Sequence, residues 1–105
     1  MFELTPKGAV SFGAARVDIT PQEPLRLCGY ASRTKPFEGV AERLRAGAFA
    51  FGSDAEGASV LITAELIGAP ADIVEPVAKR LQKKTGIPRE RIAFCATHTH
   101  TGPVL

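Results

Sequence analysis

Apolar residues recur along this chain in two rhythms, and the change from one to the other predicts its elements. From Ser11 to Thr20, Phe12, Ala14, Ala15, Val17 and Ile19 are followed or interleaved by Arg16 and Asp18. The alternation Val17-Asp18-Ile19 predicts a strand with one buried face. Pro21 ends it, and Pro21-Gln22-Glu23-Pro24 reads as a loop, because prolines so close deny a ladder its donors. A short segment from Leu25 to Ala31 carries Cys28-Gly29-Tyr30, where Gly29 permits a positive φ or a close backbone approach. Ser32 to Gly39 is a polar loop, either a plain connector or a segment lying over a site. Val40 to Phe51 reads as a second strand, with Arg43 and Arg45 on one face and Leu44 on the other. Gly52 to Gly57 is a turn.

The rhythm then changes. Ala58 to Ala64 is a nearly continuous apolar run, as in a central strand covered on both sides, and the strand is expected over 58–66. Ile73, Val74, Val77, Ala78 and Leu81 share one helical face and predict a helix over 71–85. Pro76 sits early in it, Lys83 and Lys84 complement the dipole at its end, Gly86 suits the C′ position and Pro88 blocks continuation. A second buried strand is expected over 91–97, built on Ile92-Ala93-Phe94-Cys95-Ala96, with Cys95 as a small buried side chain. The connection is long enough for a right-handed crossover between parallel neighbours. The fold class is therefore α/β (mixed α+β): a mixed sheet with antiparallel N-terminal strands and one strand–helix–strand crossover. Residues 1–10 are expected to form a loose arm ahead of a single domain.

Composition changes this picture little. At 105 residues the chain holds one domain at most. A net charge of +2 gives no argument for nucleic acid or an anionic membrane. Cys28 and Cys95 are isolated, without zinc-finger spacing or a disulfide framework. No apolar run reaches transmembrane length, and no signal-peptide core is visible near Met1, so a cytoplasmic location is the default expectation. A secreted or periplasmic one is expected if the segment was cut from a longer precursor.

The chemistry gathers at the end of the last strand. Both histidines of the chain, His98 and His100, lie in Thr97-His98-Thr99-His100-Thr101-Gly102-Pro103. If the strand persists through His100, the two imidazoles point into one space, which suits a divalent metal. His98 is then either a ligand or a strand-end histidine satisfied by backbone. His100 is a second ligand, a residue behind the ligand or a proton carrier. In open α/β sheets ligands collect beyond the carboxyl ends of the strands, so Glu65 is expected to converge with the two histidines, orienting one of them, or else to stay an exposed charge. Tyr30 is a substrate contact or a loop anchor. Arg43 and Arg45 hold an anion or form a solvated face.

These residues carry a likeness to a family. Gly13-Ala14-Ala15-Arg16-Val17-Asp18-Ile19-Thr20, Gly29-Tyr30, Arg43-Leu44-Arg45-Ala46-Gly47-Ala48-Phe49, Ala64-Glu65-Leu66-Ile67-Gly68 and Ala96-Thr97-His98-Thr99-His100-Thr101-Gly102-Pro103 come in order. Together they resemble the N-terminal part of the neutral/alkaline ceramidases, with Glu65 and Thr101 where that family usually has Asp and Ser. The resemblance implies a zinc amidohydrolase that cleaves the N-acyl bond of ceramide. It implies that His98 is a zinc ligand and that His100 lies beside the metal in a catalytic role, contacting substrate or water; Gly29 and Tyr30, which fall at that family's M-G-Y loop, are the candidate contacts to a small-molecule or lipid amide substrate. The family's remaining ligands lie far downstream, so they are expected from a continuing chain or another subunit, and residues 11–105 read as a truncated part of the domain. Two other readings stand beside this one. One is a non-catalytic truncated domain. The other is a metal-dependent hydrolase of another class with an H-x-H-x-D-H tip, although Thr101-Gly102-Pro103 lacks its Asp-His pair.

Overall fold

The computed structural model describes residues 10–53 and 55–105. The loose arm expected over 1–10 lies, apart from Val10, outside the described residues. Four strands form one sheet in the order β1 (Ser11–Asp18), β2 (Arg45–Ser53), β3 (Gly57–Ala64) and β4 (Ile92–Ala96). β1 and β3 both run antiparallel to β2, and β3 and β4 are parallel. Helix α1 (Ala71–Thr85) comes between β3 and β4, with a short 3-10 turn at Arg89–Arg91. The helix has the bounds its periodicity predicts. Gly86 ends it in the left-handed conformation (φ 74°), donating its N–H to the Gln82 carbonyl.

The core is small and one-sided. Among the described residues it is built on Val60 and Ala64 of β3, Ile92 of β4, and Val74 and Ala78 of α1. Val60 and Ile92 are register partners across the parallel pair, on the sheet face that the helix covers. Ile92→Ala removes three carbons where few others can fill the gap. It is expected to cost about 2–4 kcal/mol of the roughly 5–15 kcal/mol a domain has, read as a lower midpoint in urea.

Three expectations are corrected by what the helix leaves uncovered. The eight residues of β1 are all exposed, so β1 has no buried face: it is an edge strand beyond the reach of α1. On the helix side, Ala15, Val17, Ala46 and Ala48 form an open apolar groove with Ile73, Val77 and Phe94. On the opposite face, the rings of Phe12 and Phe49 stack 5.8 Å apart, and Phe51 is exposed beside them. β3 is therefore covered on one side among the described residues, although its apolar run suits cover on both. Cys95 is exposed, because alternation along β4 turns it away from the helix that buries Ile92.

Strand ends also move. β2 begins at Arg45, and Val40–Leu44 is irregular, so Arg43 and Arg45 do not share a strand face. The segment is held instead by Ile19 N–H to the Leu44 carbonyl (2.9 Å) and Leu44 N–H to Thr20 Oγ1 (2.8 Å). Arg43 Nε donates to Asp18 Oδ2 (2.6 Å). That hydrogen bond first, and those from Thr20 next, lower the Asp18 carboxyl from 3.8 to about 2. The pairing is thus fully present above the ordinary carboxylate range and is lost only as pH falls through about 2. β3 stops at Ala64 and β4 spans only Ile92–Ala96, both shorter than expected.

Candidate functional site

The site is built where β3 and β4 end. Past Ala64 the chain turns through Glu65, Leu66 and Ile67, and their carbonyls no longer belong to a strand. Past Ala96 the other strand follows it out: Thr97 N–H donates to the Ala64 carbonyl (3.0 Å) and His98 N–H to the Leu66 carbonyl (2.9 Å). The strand does not persist through His100. His98 has φ 66°, a left-handed conformation that breaks the two-residue alternation. The two imidazoles meet nevertheless, by a tight turn instead of an extended strand. Their Nε2 atoms are 3.3 Å apart, with the rings at 79°.

The hydrogen-bond network assigns the protons. His98 Nδ1 lies 2.8 Å from the Ile67 carbonyl, which can only accept, so Nδ1 carries the hydrogen. His98 Nε2 is then a bare lone pair, and His100 Nε2–H is the donor to it. His100 Nδ1 is left buried with no partner among the described residues. Its reason is steric: the ring lies flat against Gly29, whose backbone (φ 106°) leaves no room for a side chain. A Cβ there would stand 2.6 Å from His100 Cγ and Nδ1.

Segment 25–33 clasps this tip. Cys28 N–H donates to the Gly102 carbonyl (3.0 Å), Val104 N–H donates to the Arg26 carbonyl (2.9 Å), and Leu27 bridges Pro103. The Cys28 thiol reaches the Gly102 and Pro103 carbonyls at 3.4 and 3.3 Å. Tyr30 presents its ring to the edge of His100, with centroids 5.0 Å apart. Arg33 lies over the Tyr30 ring (4.7 Å) and donates from Nη1 to the carbonyls of Cys28 (3.1 Å) and His100.

The residues expected at the site thus divide. His98, His100, Gly29 and Tyr30 come together. Glu65 does not join them: its carboxylate accepts from Arg45 N–H (2.6 Å), capping the first residue of β2. Arg43 and Arg45 are engaged with Asp18 and with the end of the sheet. Arg33 and the Ile67 carbonyl are site groups that sequence reasoning missed. Nothing marks a lone arginine in a polar loop, and a backbone carbonyl has no sequence signal at all. Among the described residues no three His, Cys, Asp or Glu side chains gather as a metal-ligand group. No described helix is long and apolar enough to cross a membrane.

Comparison with known proteins identifies the family and the fold. The family model "Neutral/alkaline non-lysosomal ceramidase, N-terminal" matches residues 11–104. A neutral ceramidase of Mycobacterium tuberculosis is 32% identical over 100 residues, covering 90% of this chain and 16% of that protein. The crystal structure of neutral ceramidase from Pseudomonas aeruginosa superposes with a TM-score of 0.80 at 30% identity, over 90% of this chain and 16% of that one. A second solved ceramidase, in complex with C2, gives the same score and identity over 15% of its length. The chain therefore spans about one sixth of the relatives it matches, at 16% of their length. With the match to the family model running from the first strand to the residue after the Gly-Pro turn, the chain belongs to the neutral/alkaline non-lysosomal ceramidase family, of which it carries the N-terminal segment.

Proposed function

We propose that this chain supplies the histidine tip of a zinc-dependent amidohydrolase acting on an N-acyl amide such as ceramide. The observation that supports it best is the state of His98. Its ring is anchored through Nδ1 on the Ile67 carbonyl, so a bare Nε2 is presented at the end of β4. Anchoring of this kind is what fixes the orientation of ligating histidines generally. The donor set also fits the ion. His98 offers zinc a neutral imidazole nitrogen with its other ring nitrogen already anchored, and His100 Nε2, 3.3 Å away, stands next to the ion rather than on it. Bound there, zinc would polarise the scissile carbonyl and ease ionisation of water.

The chain's own residues divide the remaining work. His98 holds the metal. His100 stands beside it, with Nε2–H placed to donate to substrate or water once His98 Nε2 is engaged. Gly29 and Tyr30 form the wall against which substrate would lie, Tyr30 being 56% exposed and open to it. The substrate class, a lipid amide, comes from the family and from relatives named neutral ceramidases. One imidazole nitrogen does not complete a hydrolytic zinc site, which takes three protein ligands. The others are expected from downstream chain or a second subunit, so the segment alone is expected to turn over nothing. The β3–α1–β4 connection is taken as right-handed, as sheet twist requires of parallel crossovers.

The test joins this chain to the downstream part of the Pseudomonas aeruginosa enzyme, in place of that enzyme's own N-terminal segment. Hydrolysis of a fluorescent ceramide is then followed with zinc and with chelator. Chelator-sensitive hydrolysis that disappears in His98→Asn is the expected result. A folded, zinc-loaded hybrid that cleaves no N-acyl amide would refute the reading.

A further inference from the structure

Segment 28–33 does more than close over the tip. It touches His100 from three sides: Gly29 lies flush against the imidazole, Tyr30 faces its edge, and Arg33 holds its carbonyl. Arg33 unites the three. From a single guanidinium nitrogen it bridges the Cys28 carbonyl, just before Gly29, to the His100 carbonyl, and its cationic plane rests on the Tyr30 ring. The two Nη1 hydrogens lie fixed in the guanidinium plane that rests on Tyr30, so ring and carbonyls are held in one geometry, whereas a freely rotating ammonium has donors but no plane to lay on the ring.

We propose that Arg33 is a positioning residue for His100: it locks the turn Cys28–Arg33 onto the tip and so keeps His100 Nε2 aimed at His98. The need is visible in the backbone. His98 is held at φ 66°, and His100 Nδ1 is buried without a partner among the described residues. Neither condition is favourable by itself, so both persist only where the surroundings fix them. Turning His100 outward would hydrate Nδ1. Arg33 opposes that by fixing the His100 carbonyl, and Tyr30, braced under Arg33, blocks the ring's exit. The proposal rests on the view that the histidine pair is the working centre, but its test needs no metal and no substrate.

The test is proton NMR on the metal-free chain at about pH 8, where an ordinary histidine is neutral. Cross-relaxation is measured between the His98 and His100 rings and between Tyr30 and His100. In Arg33→Ala both contacts are expected to be lost, while amide shifts of β2, β3 and α1 stay in place. Arg33→Lys keeps the charge and the donors but lacks the plane that braces Tyr30, and is expected to lose the His98–His100 contact as well. It answers the question if the alanine variant does not fold. Retention of the ring contacts in either folded variant would overturn the proposal, as would their loss only together with the sheet's amide shifts. Failure of the zinc reading would leave these ring contacts untouched, so the two results are separable.

Discussion

His98→Asn is expected to weaken zinc binding by more than the roughly 100-fold that loss of a mere supporting residue can cost. Asparagine is the informative replacement. It tolerates the left-handed backbone that His98 adopts at φ 66°, where alanine would add strain of its own. The two backbone hydrogen bonds nearby, Thr97 N–H to Ala64 and His98 N–H to Leu66, involve no side chain and survive the change. The fold should therefore remain, and only the bare Nε2 is removed. Competition against a chromogenic chelator reads the loss. The exposed Cys95 thiol is a second soft ligand on the same chain, so the measurement is made in a Cys95→Ser background. Binding that survives His98→Asn in that background would place the metal elsewhere.

The second large effect comes from the smallest residue at the site. Gly29→Ala should both destabilise the chain and break the histidine pair. Its backbone, at φ 106°, lies in territory that L-residues rarely adopt, worth about 1–3 kcal/mol. The new Cβ would also stand 2.6 Å from His100 Cγ and Nδ1, so the ring must move. Tyr30, its ring centroid 5.0 Å from that of His100, limits the space into which the ring can shift. The expected readouts are a lower unfolding midpoint and loss of ring-to-ring cross-relaxation between His98 and His100. Gly68→Ala is the matched control. It has open space within 4 Å and should change stability by no more than about 0.5 kcal/mol. Equal behaviour of the two variants would mean that Gly29 is an ordinary loop residue.

What could be read from the sequence was what depends on local patterns. Helix α1 was legible to its ends, because apolar spacing, Gly86 and Pro88 all act within a few residues. So was the strand–helix–strand order, and with it the placing of His98 and His100 at a strand's carboxyl end. The strand bounds were less so, since β3 and β4 give up their last residues to the turns that shape the site. Burial was misread wherever it depends on a partner layer. The faces of β1 and the position of Cys95 look buried by composition, yet α1 reaches only β3 and β4. The pairing of the histidines was anticipated for the wrong reason. Alternation along a strand would have aimed them in parallel, whereas a left-handed turn at His98 folds one ring onto the other. The two readings of Glu65, a partner to a histidine or an exposed strand-end charge, could not be separated because strand adjacency does not fix side-chain direction once the strand has ended; its carboxylate caps Arg45 N–H instead of reaching the histidines. Arg33 was invisible, since its role comes from long-range contacts with His100 alone and with a tyrosine in its own loop.

Zinc titrated into the chain with its histidine rings labelled in nitrogen-15 reads directly whether His98 holds the metal with His100 beside it. His98 Nε2 is expected to move first and furthest. His98 Nδ1 should stay protonated on the Ile67 carbonyl, and the His98–His100 hydrogen bond should be replaced as zinc is added. Zinc binding that leaves both imidazoles unchanged would contradict this assignment.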